Sequence, residues 1–163
     1  MALNSIWGFI SIRAITTALA DTNIFANLSV RKYQQPGIVG GVVLKKEKLF
    51  VHHENRILIR YTLVEAHSAT TLRLRPFLAF RSVRQYTHEN AQASRDYQEV
   101  DNGIKTCMYA GYPELFMQLN KKNEFHFQPD WYRGIEYPKE QERGYDFNED
   151  LYVPGYFELK IKK

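Results

Sequence analysis

A single cysteine, Cys107, stands in a chain of 163 residues. A lone thiol can close no intramolecular disulfide and can anchor no cysteine-rich metal cluster, which fits a reducing compartment. No apolar run approaches the roughly 20 residues that a membrane-spanning helix needs, so no membrane association is expected. The first twenty residues hold an apolar run from Ile6 to Ile12 and small residues at Ala18-Leu19-Ala20, but Arg13 interrupts the run and no basic segment precedes it. A cytoplasmic protein is expected on that pattern rather than a secreted one. Internal repeats and low-complexity segments are missing as well.

Chemical signatures are equally scarce. The chain has no G-x-S-x-G elbow, no phosphate-binding glycine loop and no dinucleotide fingerprint. His52-His53-Glu54 resembles a metal set only superficially, because adjacent residues of a strand point to opposite faces and no third ligand occurs at a useful spacing. Cys107 lacks a neighbouring histidine or basic pair, which predicts an inert buried thiol. Neither a metal nor a cofactor is expected.

Charge is present but unevenly spread. The formal net charge is +4, yet residues 129–157 hold seven carboxylates against three bases, a net of −4, while the remainder holds nineteen bases against eleven carboxylates, a net of +8. A basic body could attract phosphate backbones. Its bases are scattered along strand-like segments, however, and the acidic stretch would repel nucleic acid, so no nucleic-acid partner is expected.

Periodicity points to strands. Residues Ile6 to Val30 are ambiguous: Ile10, Ile12, Ala14 and Thr16 alternate like a strand, whereas Ala14 to Phe25 suits a short helix. Gly41–Val51 and Arg56–Val64 read as an antiparallel hairpin around the polar turn His-His-Glu-Asn, with Ile57, Ile59, Tyr61 and Leu63 sharing a face. Thr70–Ser82 reads as another strand, at an edge or bulged because of Pro76, with Arg73, Arg75 and Arg81 on one parity and leucines on the other. Three guanidiniums on one side form either a solvated face or a clamp for carboxylates, and the planar fork of arginine favours the clamp. Tyr86–Asn102 reads as a polar surface loop. Gly103–Tyr109, Glu114–Leu119, Glu124–Phe127 and Gly155–Lys162 read as short strands, and strands so spaced predict an all-β, antiparallel β-sandwich. One domain is expected at this length.

The exception is Pro129 to Phe157, PDWYRGIEYPKEQERGYDFNEDLYVPGYF, which holds eight aromatics and obeys neither a helical nor a two-residue period. It reads as a long structured loop, and such loops inside compact domains are usually functional. Trp131, Tyr132, Tyr137, Tyr145, Phe147 and Tyr152 offer flat apolar faces beside carboxylate acceptors and the donors Arg133 and Arg143, a combination suited to sugar rings. The alternative is a brace whose aromatics pack on the sheet and whose charges pair among themselves. Glu136 with Glu140, or Asp146 with Asp150, could flank a glycosidic bond as acid and base, but carboxylates amid so many cations are more simply explained as ion-paired.

Three runs, VHHENRILIRYTL at 51–63, LRLRPFLAFR at 72–81 and PDWYRGIEYPKEQERGYDFNEDLYVPG at 129–155, closely resemble the N-terminal domain of bacterial and archaeal type glycogen debranching enzymes. The resemblance covers roughly Gly40 to Lys163. It implies a galactose-mutarotase-like super-sandwich set ahead of a helical (α/α) barrel, which carries the catalytic carboxylates that hydrolyse α-1,6-glucosidic branch points. Residues 1–35 depart from the family pattern, so the β-sandwich domain is placed at 36–163 and is expected to lack strands at its start. A strand edge left uncovered there could be satisfied by a second copy of the chain, giving a homodimer. The barrel is not recognisable in the sequence, so the chain is expected to be a fragment or a short paralogue without hydrolytic activity of its own and without catalytic residues.

Composition and resemblance together predict an accessory domain that binds and positions a branched α-glucan, glycogen or maltooligosaccharide, for the barrel. Trp131, Tyr132 and Tyr137 would stack on the sugar, and Glu136 and Arg143 would hydrogen-bond it. Arg73, Arg75 and Arg81 would brace the stretch through Asp146, Glu149 and Asp150. The competing expectation is a purely structural interdomain module with no sugar contact.

Overall fold

The structure, a computed structural model, describes residues 5–13, 37–39, 42–66, 69–83 and 85–161. The regular structure of the described chain is strand but for one short helix. Its elements are β1 (Ser5–Arg13), β2 (Gly37–Val39), β3 (Val42–Phe50), β4 (Arg56–Glu65), β5 (Thr70–Leu74), β6 (Tyr97–Val100), β7 (Gly103–Thr106), β8 (Glu114–Leu119), β9 (Glu124–Glu136), the short helix α1 (Pro138–Glu142) and β10 (Asn148–Ile161). A seven-stranded sheet has the order β2-β3-β4-β1-β8-β7-β6, and a three-stranded sheet has the order β5-β10-β9. All the pairings are antiparallel, as the expected β-sandwich requires.

The core lies between these sheets. Ile104, Met117 and Leu119 from the larger sheet meet Trp131, Tyr152, Phe157, Leu159 and Ile161 from the smaller one, together with Leu63, Ala66, Leu78 and Met108. At the C-terminal end of β10 the two-residue alternation is clean, with Phe157, Leu159 and Ile161 buried and Lys160 exposed, because one face of that sheet packs and the other meets water. The hairpin of β3 and β4 forms as expected, in register from Leu44 opposite Leu63 to Phe50 opposite Ile57. The segment 52–55 is its turn.

Several expectations change. Of the ambiguous N-terminal segment, residues 5–13 form β1, which lies between β4 and β8; residues 14–36 lie outside the described residues. The strand expected over 70–82 ends at Leu74, since Pro76 cannot donate to a ladder. Beyond Leu74 the chain is irregular and touches β10 again at Leu78, opposite Tyr152. The polar segment 86–102 contains the strand β6, which pairs with β7.

The largest correction concerns residues 129–157, which form no loop. They are the body of a long hairpin, β9 and β10, with α1 at its tip. Register shifts interrupt the ladder between Glu149 and Leu151 and between Val153 and Gly155. At each shift β9 spans two residues where β10 spans one, and the buried parity of β10 changes there, so Glu149, Tyr152 and Phe157 are all buried although no single alternation joins them. Strands bent in this way read as aperiodic in the sequence.

Gly155 sits at the second irregularity with φ of 151°. A Cβ there would lie 2.1 Å from the His126 carbonyl oxygen and 2.9 Å from the Gln128 nitrogen, so the two strands approach more closely than any side chain permits. Gly155→Ala is therefore expected to destabilise the fold by about 3 kcal/mol. A urea-unfolding midpoint equal to that of the unsubstituted chain would contradict the account.

Candidate functional site

Residues 78–83 and 85–90 are bonded to the hairpin toward its α1 end. Leu78 N–H donates to Tyr152 O at 2.8 Å, Tyr152 N–H returns the bond at 3.2 Å, and Asp150 N–H donates to Thr87 O at 2.8 Å. Across the tip, Tyr137 N–H donates to Phe147 O at 2.8 Å. Pro138 opens α1, where a missing N–H costs nothing. Gly144, at φ 76°, turns the chain back after Arg143, which caps the C-terminus of α1.

Glu149 lies at the centre of this region. Its side chain is 1% exposed. Arg81 grips both oxygens, Nε donating to Oε2 at 2.6 Å and Nη2 to Oε1 at 3.1 Å, and the Tyr137 hydroxyl also donates to Oε1. Burial alone would raise the Glu149 pKa, but the Arg81 fork and the Tyr137 hydroxyl outweigh it and hold the carboxyl below its usual range. Burial and the hydrogen bond to Glu149 push the Tyr137 phenol up to about 12, so it stays a donor at neutral pH.

Next to Glu149, Asp150 plays a different part. It accepts the backbone N–H groups of Glu89 and Gly134, each at 2.9 Å, and His88 Nδ1 lies 3.6 Å away. These donors lower its pKa, the Glu89 N–H most of all. Arg133 pairs with the Glu89 carboxylate, so the segment 87–89 and the hairpin are fastened in both directions.

An open pocket of about 390 Å³ lies over this network, lined by Arg81, Tyr86, Tyr137, Pro138, Lys139 and Glu140. The Tyr86 and Tyr137 rings are stacked, with centroids 5.3 Å apart and planes 20° apart, and the Arg81 guanidinium lies 4.8 Å over the Tyr86 ring. Two aromatic rings, a proline ring, an ammonium and a carboxylate thus surround one space.

The residues predicted from the sequence fare unequally. Trp131 is 5% exposed and packs in the core with its ring 5.5 Å from that of Tyr152, so the expectation that it stacks on a sugar is corrected: it shares the strand parity of Phe125, which also faces the core. Tyr137 lines the pocket. Tyr132 does not; it accepts a hydrogen bond from Arg75 Nη1 at 3.1 Å and meets Phe77 edge-on. Glu136 is exposed at the end of β9, and Arg143 pairs with Glu140 at 3.0 Å on the helix surface.

The three arginines expected to clamp carboxylates of the stretch also divide. Arg81 does so through Glu149, whereas Arg73 pairs with Glu158 at 2.7 Å, beyond the stretch. Arg75 meets a phenol and the Gln128 amide rather than a carboxylate. Asp146 is exposed at the hairpin tip, and Asp150 braces through backbone N–H groups rather than through an arginine. Sequence reasoning misses Tyr86 and Glu89 because their segment has no period; an aromatic beside the third arginine is the one available signal.

No group of three or more potential metal ligands occurs among the described residues. The Cys107 thiol donates to the Tyr109 and Tyr112 carbonyls. No helix among the described residues is long and apolar enough to cross a membrane. A family model for the glycogen debranching enzyme N terminal matches residues 19–163 and so takes in residues 19–35, which the sequence pattern sets apart. No curated protein and no solved structure matches the chain.

Removing one partner of a buried ion pair strands the other. Glu149→Gln is expected to cost about 3 kcal/mol at neutral pH, the low end for such pairs because the Arg81 side chain retains 18% exposure. Since the folded-state pKa values of Glu149 and Asp150 are depressed, their stabilisation is complete above the unfolded carboxylate range and is lost as pH falls through the folded values. Urea midpoints should therefore decline below about pH 5, and less steeply in Glu149→Gln. Equal slopes would contradict the role given to Glu149.

Proposed function

Because the chain belongs to the family of glycogen debranching enzyme N-terminal domains, we propose that it is a non-catalytic domain that holds a branched α-glucan for an α-1,6-glucosidase barrel. The observation that carries this reading is the pocket at the hairpin end. Its volume of about 390 Å³ falls within the roughly 300–1,000 Å³ typical of small-molecule sites. The paired Tyr86 and Tyr137 rings offer apolar surface to the C–H groups of a pyranose. Lys139 supplies donors and Glu140 acceptors for its hydroxyls, while Pro138 closes one side without competing for hydrogen bonds.

The chemistry suits binding rather than bond cleavage. Glu149, the most deeply buried carboxylate, is saturated by Arg81 and Tyr137 and has no proton to give. Glu140, the one carboxylate lining the pocket, is paired with Arg143. A polysaccharide held here at millimolar affinity would be retained through many weak contacts along one large molecule.

A second reading, an interdomain brace with no sugar contact, is favoured by one observation: Trp131 belongs to the core while Phe77, Phe127 and Tyr145 remain exposed on or beside the hairpin. Calorimetric titration separates the two. Maltoheptaose is expected to bind with a Kd in the high micromolar to millimolar range, and Tyr86→Ala to weaken it about tenfold, near 1.4 kcal/mol, with the melting temperature little changed. Absence of heat at millimolar ligand would leave only the brace.

A further inference from the structure

The ion pair beneath the pocket is more than the fold requires. A carboxylate as buried as Glu149 is costly to desolvate, and well-packed apolar residues of similar volume often replace such pairs without loss of stability. Its connections point elsewhere. Through Oε1 it takes the hydroxyl of Tyr137, whose ring is one half of the stacked pair. Through both oxygens it fixes the Arg81 guanidinium, which lies 4.8 Å over the ring of Tyr86, the other half. One carboxylate therefore sets the position of both rings, from below and out of reach of anything in the pocket.

We infer that Glu149 is a positioning residue, which acts through Arg81 and Tyr137 to hold Tyr86 and Tyr137 as a rigid platform for the face of a glucosyl ring. The inference rests on the glucan reading of this pocket and adds the source of its geometry. A stacking surface whose rings are immobilised beforehand loses less side-chain entropy when ligand arrives, and a shared acceptor gives two side chains one common reference. Backbone contacts, including the bonds of Leu78 to Tyr152 and of Thr87 to Asp150, join the same segments without the ion pair. Its loss should disorder the platform before the hairpin.

The test replaces the pair by apolar groups in the full chain, Arg81→Met with Glu149→Leu, and reads three quantities. The melting temperature should be kept, the near-ultraviolet circular dichroism of the paired tyrosines should be lost, and the Kd for maltoheptaose should rise about tenfold. A folded variant that keeps both the tyrosine signal and the affinity overturns the inference. If the unsubstituted chain binds no maltoheptaose, the glucan reading falls, and the tyrosine signal alone decides: its loss supports the positioning role and its persistence overturns it. Should the double variant not fold, Arg81→Lys, which keeps the charge but not the planar fork, is judged by the same signals.

Discussion

The Glu149 carboxylate, enclosed by the fork of Arg81 and the hydroxyl of Tyr137, is the contact around which the α1 end of this domain is arranged. It joins the irregular segment after β5 to the end of β9 and the start of β10, which pair with each other across the tip. The segment around Arg81 has no strand ladder, and α1 is a five-residue turn of helix, too short to be stable by itself. The Arg81–Glu149 pair adds to the backbone bonds that seat the tip.

Beneath that contact the fold is governed by the interrupted ladder between β9 and β10. Two register shifts divide the hairpin into parts with different inward parity. The C-terminal part presents Phe157, Leu159 and Ile161 to the core, the middle part presents Tyr152 with Trp131, and the distal part presents Glu149. The bulges thus let one hairpin serve the sandwich core at one end and an ionic, aromatic site at the other. Gly134, at φ 69°, belongs to the same device: its N–H meets Asp150 where an ordinary residue would resist the left-handed backbone.

Regular strands are legible in the sequence, and the bulged ones are not. β3, β4, β7 and β8 obey local alternation or clear turn signals, and the structure places them close to where periodicity does. Residues 129–157 stand out as unusual, yet the absence of a single period reads as absence of strand, because a parity reversal looks the same as irregular chain in one dimension. Trp131 is misplaced for a different reason: its aromatic character suits a sugar, but it shares the strand parity of Phe125 and packs in the core. The clamp by Arg81 is visible in outline, from cations on one segment and carboxylates on another, although the pairing of individual residues depends on three-dimensional register. Tyr86 is barely marked, lying in a polar stretch where an aromatic near the third arginine is the one signal.

At one end of the molecule a stacked tyrosine pair overlies a saturated carboxylate. The account requires residues 129–157 to be a rigid hairpin fastened at its tip. Amide hydrogen exchange on the full chain measures this most directly. The amides of Tyr137, Asp150 and Tyr152, each bonded to a backbone carbonyl, are predicted to exchange as slowly as those of the β3 and β4 ladder. Exchange of these amides at the rate of an unstructured peptide, while β3 and β4 stay protected, would contradict it.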